Sequence, residues 1–137
     1  MDLVEEIPLS NGLVVEVWDD SRPIADDTTK VSIYLKVNVE VKPEYFASPE
    51  HFKEVERSFG REIYFEYRTE RTFVSNKKKE SFFKELLEDF KKNSMPYLAR
   101  PKFPAGFAMS KYMDIQKRHY RYYHPVLAES TMVSTFF

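Results

Sequence analysis

The stretch KVSIYLKVNVEVK, residues 30 to 42, constrains the fold more than any other part of this chain. Val31, Ile33, Leu35, Val37, Val39 and Val41 alternate with Ser32, Tyr34, Lys36, Asn38 and Glu40. Successive side chains of a strand point to opposite faces, so a strict period of two specifies a strand with one face in a core and one in water. A chain that contains it needs further strands beside it and an apolar layer beneath it.

Two neighbouring segments supply strands. SNGLVVEVWD opens on the turn dipeptide Asn11-Gly12 and then alternates Leu13, Val15 and Val17 against Val14, Glu16 and Trp18. REIYFEYRTERTFV sets Ile63, Phe65 and Tyr67 on one face and Glu62, Tyr64, Glu66 and Arg68 on the other. This second face is charged and aromatic, as expected of a sheet face left largely to solvent. Between the first two strands, WDDSRPIADD reads as an acidic loop.

Helices account for the apolar layer. In SPEHFKEVERSFG, Ser48 is placed to cap and Pro49 suits the first helical position. Phe52, Val55 and Phe59 fall at helical spacing, and Gly60 is a stop. KKKESFFKELLEDFKKN gathers Phe82, Phe83, Leu86, Leu87 and Phe90 on one arc of a helix over 78–92. Burying five such side chains contributes at most about 8 to 15 kcal/mol, enough to seat that helix on the sheet. Pro96, Pro101 and Pro104 make NSMPYLARPKFPAGF an extended crossing segment. Residues 106–122 fit a helix or a strand, with helix the preferred assignment. The expectation is an α+β fold, with an antiparallel sheet of three or more strands in hairpin order and helices packed mainly on one face. A single domain over 1–124 is followed by a flexible tail, 125–137.

Composition then narrows the chemistry. The chain has 137 residues and no cysteine, so disulfides, thiolate metal sites and a cysteine nucleophile are excluded. No apolar run approaches the roughly 18 residues of a membrane span, and the N-terminal segment lacks the pattern of a signal peptide. A cytoplasmic, membrane-free protein is the expectation. Residues 1–75 hold nine Lys/Arg against sixteen Asp/Glu, and residues 76–137 hold twelve against six. Such asymmetry fits an anionic partner for the basic half or two halves that face each other across one fold, and the second is the preferred reading.

Several constellations contain residue types that could form a site. DDSRPIADDTTK lacks the ligand register and central glycine of an EF-hand, so its acids are expected to make local hydrogen bonds and to pair Asp20 or Asp26 with Arg22. KRHYRYYHP interleaves Arg118, Arg121, His119 and His124 with Tyr120, Tyr122 and Tyr123, a mixture that suits stacking of single-stranded bases beside phosphate-binding cations. No recognised nucleic-acid motif accompanies it. His119 and His124 lie on different faces of either a helix or a strand, and a metal would also need His51. With Gly12, Gly60 and Gly106 the only glycines, no phosphate-cradling loop is present, and no hydrolase or metalloprotease motif occurs. No catalytic, cofactor-binding or metal-binding residue is assigned, and no cofactor is expected.

Twelve Phe, nine Tyr and one Trp remain to be placed. One small core does not easily bury them all, so Trp18, Tyr34 and Tyr64 on the second sheet face are candidates for an interaction surface. Arg22, as a presented contact for an acidic partner, and Arg118, Tyr120, Arg121 and Tyr122 complete the candidate set. LSNGLVVEVWDDSRPIADD, followed by VSIYLKVNVEV and later FPAGF, is similar to small uncharacterised bacterial proteins that share this strand, acidic-arginine loop, strand opening. The resemblance implies a bacterial cytoplasmic origin and brings no activity, cofactor or site residue with it. The leading expectation is a non-enzymatic module that binds an unknown protein or itself. The alternative is binding of a polyanion or single-stranded nucleic acid through the basic aromatic C-terminal half, and the third is an enzyme of unidentified type.

Overall fold

A computed structural model describes residues 1–123, with side chains to Arg118. The expected tail, 125–137, lies outside the described residues, as does His124. The fold is α+β, a five-stranded antiparallel sheet with four helices: β1 (Asp2–Pro8), β2 (Val14–Asp19), β3 (Arg22–Ala25), β4 (Thr28–Glu40), α1 (Pro49–Phe59), β5 (Glu62–Ser75), α2 (Lys79–Asn93), α3 (Met95–Leu98) and α4 (Phe103–Tyr123). The described residues divide into two compact units, Met1–Asn38 with Tyr64–Phe103, and Val39–Ile63 with Pro104 onward.

The first unit is built around β4. β2 pairs with it in the register Val15↔Val37 to Asp19↔Ile33, and β3 follows with Arg22↔Lys30 and Pro23↔Thr29. The register does not change between the two, so residues 14–23 form one long arm of a hairpin along a single edge of β4, and β5 takes the other edge. WDDSRPIADD is therefore not the loop expected from its composition. It is the far end of a hairpin, interrupted at Asp20 and Ser21, shifted in register between Pro23 and Ala25, and closed by the turn residues Asp26 and Asp27. Even at the interruption the ladder is maintained. Asp20 N–H donates to the Ser32 carbonyl at 2.9 Å, and Ser32 N–H donates to Ser21 Oγ at 3.0 Å.

The inner face follows the hydrophobic period. Val15, Val17, Ile33, Leu35 and Val37 have no exposed surface, and Val31 has almost none. Leu86, Leu87 and Phe90 of α2 are buried as well. The Phe90 ring stacks on Tyr67 of β5 with centroids 6.0 Å apart, and Lys91 reaches Glu5 of β1 at 3.5 Å. Phe65 meets Phe103 edge-on at 5.8 Å. The β1–β2 turn, with Gly12 at φ 89°, also closes the end of α3. Asn11 Nδ2 donates to the Leu98 and Arg100 carbonyls at 2.7 and 2.9 Å, supplying partners to the acceptors a helix end leaves open.

Two more assignments are corrected. The proline-rich stretch is not an extended crossing: Pro96 opens α3, and Pro104 sits in the first turn of α4, where a missing N–H costs nothing and the fixed φ is already helical. An additional strand, β1, precedes those expected. Its side chains are mostly exposed, so burial imposed no apolar alternation on it.

The second unit carries α1 and the body of α4. Ser48 caps α1 by accepting from His51 N–H, Pro49 is in its first turn, and Gly60 ends it at φ 83°, all as the sequence predicts. Val41 N–H donates to the Arg61 carbonyl at 2.7 Å. Val55 is fully buried, as are Phe107, Ala108 and Ile115 to within a few per cent, and the His51 ring stacks on Tyr112 at 4.1 Å. Helix is the right assignment for 106–122, which falls inside α4.

Candidate functional site: the outer face of the sheet

The even-numbered residues of β2 and β4, and those of β5 as far as Glu70, lie on the face opposite the apolar core, and side chains on it form one connected network in the first unit. Trp18 lies directly opposite Tyr34 across the β2–β4 ladder, and Glu16 lies opposite Lys36. Aromatic and opposite-charge pairs at directly facing positions are favourable cross-strand contacts, each contributing roughly 0.2–1 kcal/mol. The Trp18 indole N–H donates to Glu16 Oε1 at 3.0 Å. Lys36 Nζ sits 4.2 Å from the centre of the Tyr64 ring, so β5 joins the same array.

Arg68 of β5 ties the network to the acidic hairpin. Its guanidinium donates to Asp20 Oδ2 and to Ser32 Oγ at 3.4 Å, and it lies 5.2 Å from the Tyr34 ring centre. The Tyr34 hydroxyl donates to Glu66 Oε2 at 2.8 Å. Lys30 pairs with Glu70 at 3.2 Å. Arg22 makes only a 3.7 Å contact with Asp20, and 74% of its side chain is exposed.

These contacts move two ionisations. The Arg68 hydrogen bond holds the Asp20 carboxyl below its ordinary value, helped by the charges of Arg22 and Arg68 and opposed by burial. Burial pushes the Tyr34 hydroxyl up to about 12, and the hydrogen bond to Glu66 and its negative charge add to the shift. At neutral pH the face thus carries a fixed donor at Tyr34 and a fixed carboxylate at Asp20.

Of the residues expected from sequence, Trp18, Tyr34 and Tyr64 come together on this face, and Arg22 borders it through Asp20. Arg118 belongs to the second unit, where its guanidinium lies 5.4 Å from the Phe59 ring centre. The side chains of Tyr120, Arg121 and Tyr122 lie outside the described residues. Pairing of Asp20 with Arg22 is found, but the closer partner of Asp20 is Arg68, forty-eight positions away. The sequence places Glu66 and Arg68 on the face of Tyr64 as part of a charge ladder, outside the candidate set, and does not give their partners Tyr34 and Asp20. The signal for including them was their parity in β5, which they share with Tyr64.

A second feature of the first unit is an open cleft of about 510 Å³ beside the hairpin bend. Asp19, Arg22, Lys79, Glu80 and Phe83 line it, so both charge signs are present and neither prevails. Asn76, also on its wall, is engaged in fixing the hairpin turn: it accepts from Thr29 Oγ1 and donates to the Asp26 carbonyl at 3.1 Å. Among the described residues, no three His, Asp or Glu side chains gather as ligands for a metal, and no helix is long and apolar enough to cross a membrane.

Comparison of the chain with protein-family models, with curated proteins and with solved structures gives no match.

Proposed function

We propose that this chain is a non-enzymatic interaction module of a bacterial cytoplasmic protein, and that it engages a protein partner through the outer sheet face around Trp18, Tyr34 and Tyr64. The observation that carries this reading is the composition of that face: three aromatic side chains held among charges that already neutralise one another. Arg68 is matched by Asp20, Lys30 by Glu70, and Lys36 by Glu16 across the ladder. Aromatic anchors with a polar surround are typical of protein interfaces, and Tyr64 is 40% exposed. Fixing the rings through Glu16, Glu66 and the cations limits the rotamer freedom lost on binding. A cytoplasmic setting accords with the lack of cysteine.

The same matching of charges gives a polyanion no surplus of cations on this face. A phosphate backbone is held by unneutralised Lys and Arg, and its binding falls steeply with salt.

The test is site-specific photocross-linking from the intact chain in cells, with benzoylphenylalanine replacing Tyr64 on the outer face or, as a control, Glu88 on the exposed side of α2. The expected result is one cross-linked protein of defined mass from position 64, lost when Trp18→Ala is added, and none from position 88. Equal yields from both positions overturn the reading. Binding of the purified chain to an oligothymidylate at low salt, abolished by added salt, would transfer support to the polyanion alternative.

A further inference from the structure

The two lateral edges of the sheet differ in a way that points to a partner. β1 is the edge on one side, with seven residues, a register shift between Leu3 and Glu5, and Pro8 at its end. Short length, bulges and proline are how proteins prevent an edge from pairing with another chain. β5 is the edge on the other side. It has fourteen residues, contains no proline, and is paired with β4 on one side only; among the described residues no strand lies along its other side.

We infer that β5 is a self-pairing edge, along which two copies of this chain join antiparallel with Tyr67 on the twofold axis. The inference rests on the interaction-module reading and adds to it a partner, a second copy, and a contact on the edge rather than the face.

The register follows from charge and from the length of strand each axis can pair. A twofold axis perpendicular to the sheet keeps outer face with outer face, so it must pass through a residue. Centred on Tyr67, it sets Glu66 opposite Arg68 twice and Tyr64 opposite Glu70 twice, and no like charges meet. Centred on Glu66, it opposes Glu66 to Glu66 and Glu62 to Glu70. Centred on Arg68, it opposes Arg68 to Arg68 and Glu66 to Glu70. Like charges directly opposite one another oppose pairing. An axis at Phe65 avoids them, but because β5 begins at Glu62 it pairs only residues 62–68, whereas the axis at Tyr67 pairs 62–72. An axis at Thr69 avoids them but requires Phe73 in the ladder, and Phe73 has left the extended conformation at φ 58°.

Atoms are left over for the new rungs. Glu66 gives Oε2 to Tyr34 and retains its other oxygen. Arg68 uses Nη1 for Asp20 and Ser32 and retains the donors of Nε and Nη2. On the opposite face the two Tyr67 rings, each 39% exposed, face one another across the axis.

The experiment is sedimentation analysis of the full chain over a wide concentration range, for the wild type, Glu66→Arg and Arg68→Glu. A dimer is expected for the wild type and its loss in each variant. The equimolar mixture of the two variants is expected to dimerise again, since it restores opposite charges at both rungs. Tyr67→Cys gives an independent measurement. The chain has no cysteine of its own, and closely opposed antiparallel residues lie within disulfide reach, so oxidation should yield a covalent dimer. A monomeric wild type, a dimer unaffected by either charge reversal, or failure of Tyr67→Cys to cross-link overturns the pairing. The position-64 cross-link to a protein of different mass tests the outer-face reading separately.

Discussion

The two faces of the β2–β4–β5 sheet are made from adjacent residues of the same strands, yet they follow different physics. On the inner face, Val15, Val17, Ile33, Leu35 and Val37 have no exposed surface, and their free energy comes from area removed from water. On the outer face, one position away at each step, Trp18, Tyr34, Lys36, Tyr64, Glu66 and Arg68 meet through hydrogen bonds, ring contacts and ion pairs. Apolar burial is indifferent to pH. Contacts between charges at a surface are individually small, are weakened by salt, and depend on protonation. The inner face therefore holds the fold together, while the outer face fixes a pattern of polar and aromatic side chains.

Substituting neighbours in β4 gives the largest contrast. Leu35→Ala leaves a cavity in the buried core and should destabilise the chain by about 2–5 kcal/mol, read from the urea midpoint. Tyr34→Phe, at the next position on the other face, removes only the hydroxyl bonded to Glu66 and should cost about 1 kcal/mol at neutral pH. Comparable losses from the two variants would show that the outer network, too, holds the fold.

Tyr34→Phe sharpens the contrast again in alkali. The Tyr34 hydroxyl keeps its proton up to about 12 in the folded chain, whereas an unfolded tyrosine releases it near 10. Between those values the folded state binds the extra proton, so stability falls as pH rises through the window. The difference between wild type and Tyr34→Phe should shrink from pH 10 to pH 12. In an ultraviolet titration of the nine tyrosines, the component near 12 should be missing from the variant. A difference that stays level across the window would place the hydroxyl outside any burial or carboxylate effect.

The alternation that separates the faces breaks at one residue. Ile63 and Phe65 are buried at odd positions of β5, but Val74 is buried at an even one. Phe73, 75% exposed and at φ 58°, resets the parity between them. An aromatic side chain in the left-handed region is strained, and asparagine tolerates it better. Since Phe73 buries little, Phe73→Asn should stabilise the fold by about 0.5–1 kcal/mol. A loss of stability would mean that the Phe73 ring makes contacts that outweigh the strain.

What was legible in the sequence follows the same division. The period of Val31 to Val41, the stripe on α2 and the Ser48, Pro49 and Gly60 signals of α1 all record burial or local backbone geometry, and such demands are written residue by residue. β3 was hidden because it is exposed throughout, so its composition is that of a loop even though its register continues that of β2. β1 was hidden for the same reason. On the candidate surface, the common face of Trp18, Tyr34 and Tyr64 could be read from parity within each strand. The bonds of Arg68 to Asp20 and of Tyr34 to Glu66 could not, because they depend on which strands are neighbours and in what register, and no single segment encodes that.

The smallest expected effect belongs to the bond that links the faces' two hairpin arms to β5. Asp20 is held below its ordinary value chiefly by the Arg68 hydrogen bond, with Arg22 and the Arg68 charge adding to it. The folded state thus binds this proton more weakly than the unfolded state does, and the resulting stabilisation is present above about pH 4 and lost as pH falls through the lower folded value. Asp20→Asn removes that dependence. Urea midpoints measured from pH 6 down to pH 2 should show the wild type more stable at the upper end, with the two curves converging at the lower. Added salt should narrow the gap at pH 6 only in part, since the pair is joined by a direct hydrogen bond as well as by charge. Curves that run parallel to pH 2 would mean that Asp20 acts through its shape in the hairpin bend and not through its charge, leaving Arg68 free to serve the edge of β5 alone.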